Sequence, residues 1–161
     1  MPIRNALDRL RALTVADVMN KQVIAVGSRD SMVDVAQTFL EHDISSAPVT
    51  DEQGRFVGIL SATDFLRRDA EVSDSDVTRS KPGRGLQVRV CQPDTASAYM
   101  TEEVLTVSPQ TPLIQAATIM TEHHLHRLPV LDARQRVAGV ISTMDITAAV
   151  VNMVDEWGLK L

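Results

Sequence analysis

The feature that most constrains this chain is an internal duplication with a fixed offset. The phrase Arg55-Phe56-Val57-Gly58-Ile59-Leu60-Ser61-Ala62-Thr63-Asp64 returns as Arg136-Val137-Ala138-Gly139-Val140-Ile141-Ser142-Thr143-Met144-Asp145, and every matched residue is the same distance along (145 − 64 = 81). The register holds well outside the phrase. Thr14/Thr95, Met19/Met100, Val26/Val107, Ala36/Ala117, His42/His123, Pro48/Pro129, Val49/Val130 and Asp51/Asp132 are identical pairs at the same offset. A duplication without gaps requires two copies of one unit. Each copy has an apolar face to hide, and its twin can cover it, so the expected arrangement packs the two about a pseudo-twofold axis.

The repeated phrase is an apolar strand that ends in a hydroxyl residue, with an acid three positions later. Such a serine can cap the following helix. The free N–H groups of a helix start attract phosphate, and the aspartate can accept hydrogen bonds from a sugar diol. The competing reading is a plain capping pair, Ser-x-x-Asp in place of Ser-x-x-Glu. A single copy would favour capping. Two copies inside a complete repeat shift the reading toward a ligand.

Taken in order, Ile3–Leu13 reads as an amphipathic helix, with Ile3, Ala6, Leu7, Leu10 and Leu13 at helical spacing. Thr14 caps a short helical turn. Val23–Val26 is an apolar run and reads as a buried strand. Ser31–His42 is a helix with Met32, Val35, Ala36, Phe39 and Leu40 inward. Ile44–Thr50 and Arg55–Leu60 form a hairpin across Asp51-Glu52-Gln53-Gly54, and Thr63–Arg68 begins a closing helix. The unit is β-α-β-β-α. Residues 69–93 are acidic and Ser-rich, then basic and turn-rich, and read as a mobile linker. In the second copy Val104–Val107, Leu113–Glu122, Leu125–Val130 and a longer final helix through Trp157 repeat the order. The fold class is therefore α+β. The divisions are 1–13 for the N-terminal helix, 14–68 for the first repeat, 69–94 for the linker, and 95–161 for the second repeat with its C-terminal helix.

Composition narrows the function classes. Aromatics make up 3% of the 161 residues, so the core must be built from Val, Ile, Leu, Ala and Met. The net charge of −5 argues against nucleic acid or an anionic membrane as partner. The single Cys91 excludes an intrachain disulfide and fits a reducing compartment. No apolar run has the length of a membrane span, and Met1-Pro2-Ile3-Arg4-Asn5 lacks the apolar core of a signal peptide. The expectation is a cytoplasmic protein.

The ordered set of Asp17-Val18-Met19, Ala47-Pro48-Val49 and Gly58 to Asp64, repeated as Tyr99-Met100, Leu128-Pro129-Val130 and Gly139 to Asp145, resembles the tandem CBS (cystathionine-β-synthase) domain pair. The likeness covers about residues 14–66 and 95–150. It departs at Tyr99-Met100, where no acid precedes. The resemblance implies two β-α-β-β-α CBS repeats and a regulatory module rather than an enzyme, with adenosine-containing ligands bound in clefts between the repeats. It places Asp64 and Asp145 on ribose hydroxyls, and Ser61 and Ser142 near phosphate. Thr63 would help at the first site, whereas its counterpart Met144 cannot donate. It also joins Asp64 to Leu105, Thr106, His126 and Arg127, and Asp145 to Ile24, Ile44, Ser45 and Ser46. The sequence His126-Arg127-Leu128-Pro129 resembles the phosphate-binding pair of the nucleotide-sensing subunit of AMP-activated protein kinase, and arginine's planar fork suits phosphate. Ser45-Ser46 stands at the matching place in the other cleft, without a cation. A nucleotide phosphate is therefore expected at the Asp64 cleft.

The leading expectation is a sensor of AMP, ADP, ATP or a relative that acts as a homodimer on a regulated protein. The alternatives are a structural dimerisation module with degenerate clefts, or a sensor of NAD or S-adenosylmethionine. No catalytic constellation and no catalytic cofactor are expected. His123, His124 and His126 lie beside Glu122, but adjacent helix positions do not converge on a metal.

Overall fold

The computed structural model describes residues 8–76 and 93–156. In chain order its elements are α1 (Val15–Val18), β1 (Val26–Gly27), α2 (Met32–Glu41), β2 (Ser46–Thr50), β3 (Phe56–Ser61), α3 (Ala62–Asp76), α4 (Ala96–Tyr99), α5 (Leu113–Glu122), β4 (Arg127–Leu131), β5 (Val137–Ser142) and α6 (Thr143–Glu156). Residues 8–12 are also helical; the earlier part of the expected Ile3–Leu13 helix lies outside the described residues, as do Cys91 and Trp157. Helix α3 continues to Asp76, past the Arg68 reached by sequence pattern.

Local chemistry sets the ends of these elements. Ser31 caps α2, its Oγ accepting the Asp34 N–H at 3.1 Å. After α2 the chain turns through Asp43 at φ 51°, and Ile44 N–H donates to the Phe39 carbonyl at 3.0 Å. That bond closes the helix end in the usual left-handed manner. His124 at φ 53° and the Leu125 N–H to Met120 carbonyl bond, 2.8 Å, repeat the device after α5.

Strand β2 pairs antiparallel with β3, in the register Ser46↔Ser61 to Val49↔Gly58, and parallel with β1. Strands β4 and β5 copy the hairpin from Arg127↔Ser142 to Val130↔Gly139. Each hairpin turn is organised by one aspartate. Asp51 accepts the N–H groups of Gln53 and Arg55 at 2.9 and 2.8 Å. Asp132 accepts those of Arg134 and Arg136 at 2.8 and 2.9 Å. The Arg55 and Arg136 N–H groups are the chief reason both carboxyls sit below the ordinary 3.8.

The two apolar runs expected as full strands are shorter than their pattern. Only Val26–Gly27 enters the first sheet, and Val107 makes an isolated parallel bridge to Val130. Residues 21–25 carry no strand, because the chain leaves one compact unit for the other between Val23 and Ile24.

Those units are not contiguous copies of the repeat. One is Ile24–Val104 and the other joins Met1–Val23 to Leu105–Leu161. The head of each repeat thus packs on the body of the other. Ala96 and Ser97 N–H groups donate to the carbonyls of Asp30 and Ser28, both at 2.9 Å, and Thr101 exchanges two hydrogen bonds with Ile59. In the other unit Val15 and Ala16 donate to Thr111 and Pro109, both at 2.9 Å, and Asn20 pairs with Val140.

Each unit has its own core. Val26, Met32, Val35, Phe39, Ala47, Val49, Leu60 and Ala96 form one. Val107, Leu113, Ala116, Met120, Leu128, Val130, Ile141 and Val15 form the other. These are the same positions in the duplication, with the last of each taken from the opposite repeat. Aliphatic residues and methionine dominate, as the low aromatic content requires. The Phe39–Phe65 edge contact, centroids 5.6 Å apart, is the aromatic pair of the first core.

Candidate functional site

The candidate residues lie at the carboxyl ends of β3 and β5, where strand passes into helix without a loop. In the Ile24–Val104 unit, β3 ends at Ser61 and α3 starts at Ala62. The Ala62 N–H donates to the Ser45 carbonyl at 2.9 Å. Asp64, in the first turn of α3, points back toward the strand. Its Oδ2 accepts the Ser61 N–H at 2.7 Å and the Ser61 Oγ–H at 2.8 Å. The carboxylate is 4% exposed. Burying a charge this deeply is costly unless it is bonded. Besides Ser61, the Arg67 guanidinium stands one helical turn on, with Nη1 at 3.2 Å from Asp64 Oδ1.

The other unit repeats the junction. Asp145 Oδ2 accepts the Ser142 N–H at 2.8 Å and Oγ–H at 2.6 Å, and the Asp145 N–H donates to Ser142 Oγ at 3.2 Å. The last bond is the helix cap itself; in both copies the aspartate accepts the serine N–H, as the acid of a capping pair does. The Thr143 N–H donates to the His126 carbonyl at 3.0 Å, as Ala62 does to Ser45. At the position equivalent to Arg67 stands Ala148, and among the described residues no cation pairs with Asp145.

Within the first unit the structure gathers Ser61 and Asp64 with Ser45 and Ser46, since Ser46 is the register partner of Ser61. Thr63 and Ser45 are exposed, and Ile24 and Ile44 half-buried. Within the second it gathers Ser142 and Asp145 with His126 and Arg127, since Arg127 pairs with Ser142. Leu105, Thr106, His126 and Arg127 are exposed. His126 also lines a hollow of about 490 Å³ together with Thr121, Thr143 and Thr147, over Met120 and Ile146.

Sequence reading missed Arg67. Its signal was available: Asp64 and Arg67 are spaced i, i+3 on a helix, where opposite charges meet. It also missed that the heads of the repeats are exchanged. Among the described residues no group of three His, Cys, Asp or Glu side chains could hold a metal ion, and no helix is long and apolar enough to cross a membrane.

A family model described as the CBS domain matches residues 15–71 and 96–152. The chain is 26% identical over 133 residues to an L-aspartate semialdehyde sulfurtransferase of Methanocaldococcus jannaschii; the match takes in 83% of this chain and 22% of the sulfurtransferase. It is 27% identical over 135 residues to hypoxic response protein 1 of Mycobacterium tuberculosis, covering 83% of this chain and 82% of that protein. Among solved structures it is similar to the CBS domain pair of protein MJ0100 in complex with 5'-methylthioadenosine and S-adenosyl-L-methionine. That likeness has 26% identity and a TM-score of 0.66, and covers 85% of this chain and 98% of that one.

Proposed function

The chain belongs to the CBS domain family, two copies in tandem, and we propose that it is a regulatory module that binds an adenosine-containing nucleotide of the AMP, ADP or ATP kind. The observation that carries this reading is the buried Asp64 carboxylate, held by the Ser61 N–H and hydroxyl at a strand-to-helix junction. It is an oriented acceptor for a ribose diol, and Asp145 repeats it. The MJ0100 pair, in complex with 5'-methylthioadenosine and S-adenosyl-L-methionine, supports a ligand that contains adenosine. The proposed phosphate partner is the exposed Arg127, with His126 beside it. Leu105, Thr106, Ser142, Ile24, Ile44, Ser45 and Ser46 are the further candidate contacts.

Titration calorimetry of AMP and adenosine against variants tests this. Charge-assisted hydrogen bonds contribute about 1.5–3 kcal/mol each, so Asp64→Ala should weaken AMP roughly tenfold to a hundredfold. Arg127→Ala should weaken AMP and leave adenosine nearly unchanged. Asp145→Ala should matter less for AMP. Loss of AMP binding in Asp145→Ala alone would show the wrong site was chosen. A wild type that binds no adenosine ligand would leave the Ser–Asp pairs as helix caps and the chain as a structural dimerisation module.

The reading includes a homodimer that passes the ligand state to a regulated protein, not a catalyst. Its support is the apolar surface left on the helices: Val33 and Leu40 on α2 are 63% and 83% exposed, Leu40 contrary to the inward place its spacing suggested, Leu66 on α3 71%, and Met144 on α6 73%. Light scattering at micromolar concentration should give twice the chain mass, and a monomer mass would refute the dimer.

A further inference from the structure

We propose that Arg67 sets the ligand preference of the Asp64 site, admitting phosphorylated nucleosides and discriminating against neutral ones. This rests on the reading of Asp64 as a diol acceptor. The two oxygens of that carboxylate are not equivalent. Oδ2 already accepts two hydrogen bonds from Ser61. Oδ1 is the oxygen that takes no hydrogen bond from Ser61, and the Arg67 guanidinium lies 3.2 Å from it. The Asp64 side chain is 5% exposed and the Arg67 side chain 59%. The acid is fixed and the arginine is free to move away.

A diol that takes Oδ1 displaces the guanidinium or shares the oxygen with it. A neutral nucleoside offers the displaced cation nothing in return. A nucleoside phosphate brings its own anion, and the guanidinium presents a planar set of donors that matches phosphate. The same arginine thus opposes one ligand class and favours the other. The second copy lacks this ion pair, because Ala148 occupies the equivalent position and no described cation pairs with Asp145, although Arg127 stands on the strand paired with Ser142. A diol that reaches Asp145 therefore displaces no guanidinium from its own helix.

The experiment measures AMP and adenosine affinity by titration calorimetry in an Asp145→Ala background, with and without Arg67→Ala. Removal of the guanidinium should weaken AMP and strengthen adenosine, so that the ratio of the two dissociation constants changes by about tenfold or more. Arg67→Lys, which keeps the charge and loses the fork, should fall between. The reciprocal variant Ala148→Arg, in an Asp64→Ala background, should introduce preference for AMP at the second site. An unchanged ratio in Arg67→Ala, with binding still lost in Asp64→Ala, overturns the role of Arg67 and leaves the nucleotide reading standing. Absence of binding to the wild type, or AMP binding indifferent to Asp64→Ala, overturns both.

Discussion

Gly58 is the position at which one methyl group should do most damage. A Cβ built there would lie 2.6 Å from the Thr101 carbonyl oxygen, 3.0 Å from Met100 Sδ and 3.2 Å from Met100 Cγ. An ordinary carbon–oxygen approach is about 3.3 Å or more, so the Thr101 segment must retreat by roughly 0.7 Å. That segment is held by two hydrogen bonds, Ile59 N–H to the Thr101 carbonyl at 2.9 Å and Thr101 N–H to the Ile59 carbonyl at 2.8 Å. Each contributes about 0.5–1.5 kcal/mol net, and overpacking a tight contact costs about 1–3 kcal/mol. Gly58→Ala should therefore lose roughly 2–3 kcal/mol, read as a fall of about 1 M in the urea midpoint for a slope near 2 kcal/mol/M. Gly54→Asn is the control. Gly54 has φ +75° and open space around it, and its equivalent Gln135 already adopts φ 60°, so that variant should be near wild type. Adding Met100→Ala to Gly58→Ala should restore less than half of the loss, because the sulfur can move aside and the backbone oxygen cannot. A Gly58→Ala midpoint equal to wild type, or full rescue by Met100→Ala, would refute the reasoning.

Acid should destabilise the chain through its hairpin turns. Asp51 and Asp132 sit below 3.8 in the folded state, chiefly because the Arg55 and Arg136 N–H groups bond the charged form. A carboxyl depressed on folding contributes stability that is complete above its unfolded value and is lost as pH falls through the folded one. Unfolding midpoints should thus decline below about pH 4, and Asp132→Asn should flatten that decline; an unaltered acid limb would exclude Asp132 as a contributor. The exchange of repeat heads gives a second expectation. A fragment of residues 24–104 holds one entire core, Val26 through Ala96, and should melt cooperatively by circular dichroism. A fragment of residues 14–94 lacks Ala96 and Thr101 and should melt lower; equal melting would contradict the exchanged arrangement.

Most of the fold was legible because the duplication reported on itself. Helix positions such as Met32, Val35 and Phe39 recur as Leu113, Ala116 and Met120, and all six are buried. The aspartate–glycine turn after Val49 and the aspartate turn after Val130 marked both hairpins. The exchange of heads was not legible, and the reason is chemical. Met19 and Met100 are the same residue, as are Gly58 and Gly139. The Met19 segment fits against Gly139 as tightly as the Met100 segment fits against Gly58, with a would-be Cβ 2.8 Å from Asn20 oxygen in one and 2.6 Å from Thr101 oxygen in the other. A pattern that repeats cannot say which copy supplies the partner. The same ambiguity hid the shortness of β1. Val23 and Ile24 are apolar enough for a strand, but they lie where the chain passes between units.

The candidate site was legible for the opposite reason, since its chemistry is local. Ser61 and Asp64, and Ser142 and Asp145, are three residues apart. A strand that runs directly into a helix leaves the acid no nearer donors than the serine N–H and hydroxyl, which it takes in both copies. The repeat reports no difference between the copies there. The difference lies one turn later, at Arg67 and Ala148, outside the phrase that drew attention. On the proposed reading, a carboxylate with its Oδ2 bonds fixed by the chain and its Oδ1 shared with an exposed guanidinium distinguishes ligands by the charge of what displaces that guanidinium, and Asp145, with Ala148 one turn on, does not make that distinction through its own helix. The duplication, which explains the fold, is silent on such a difference because it sits where the copies diverge.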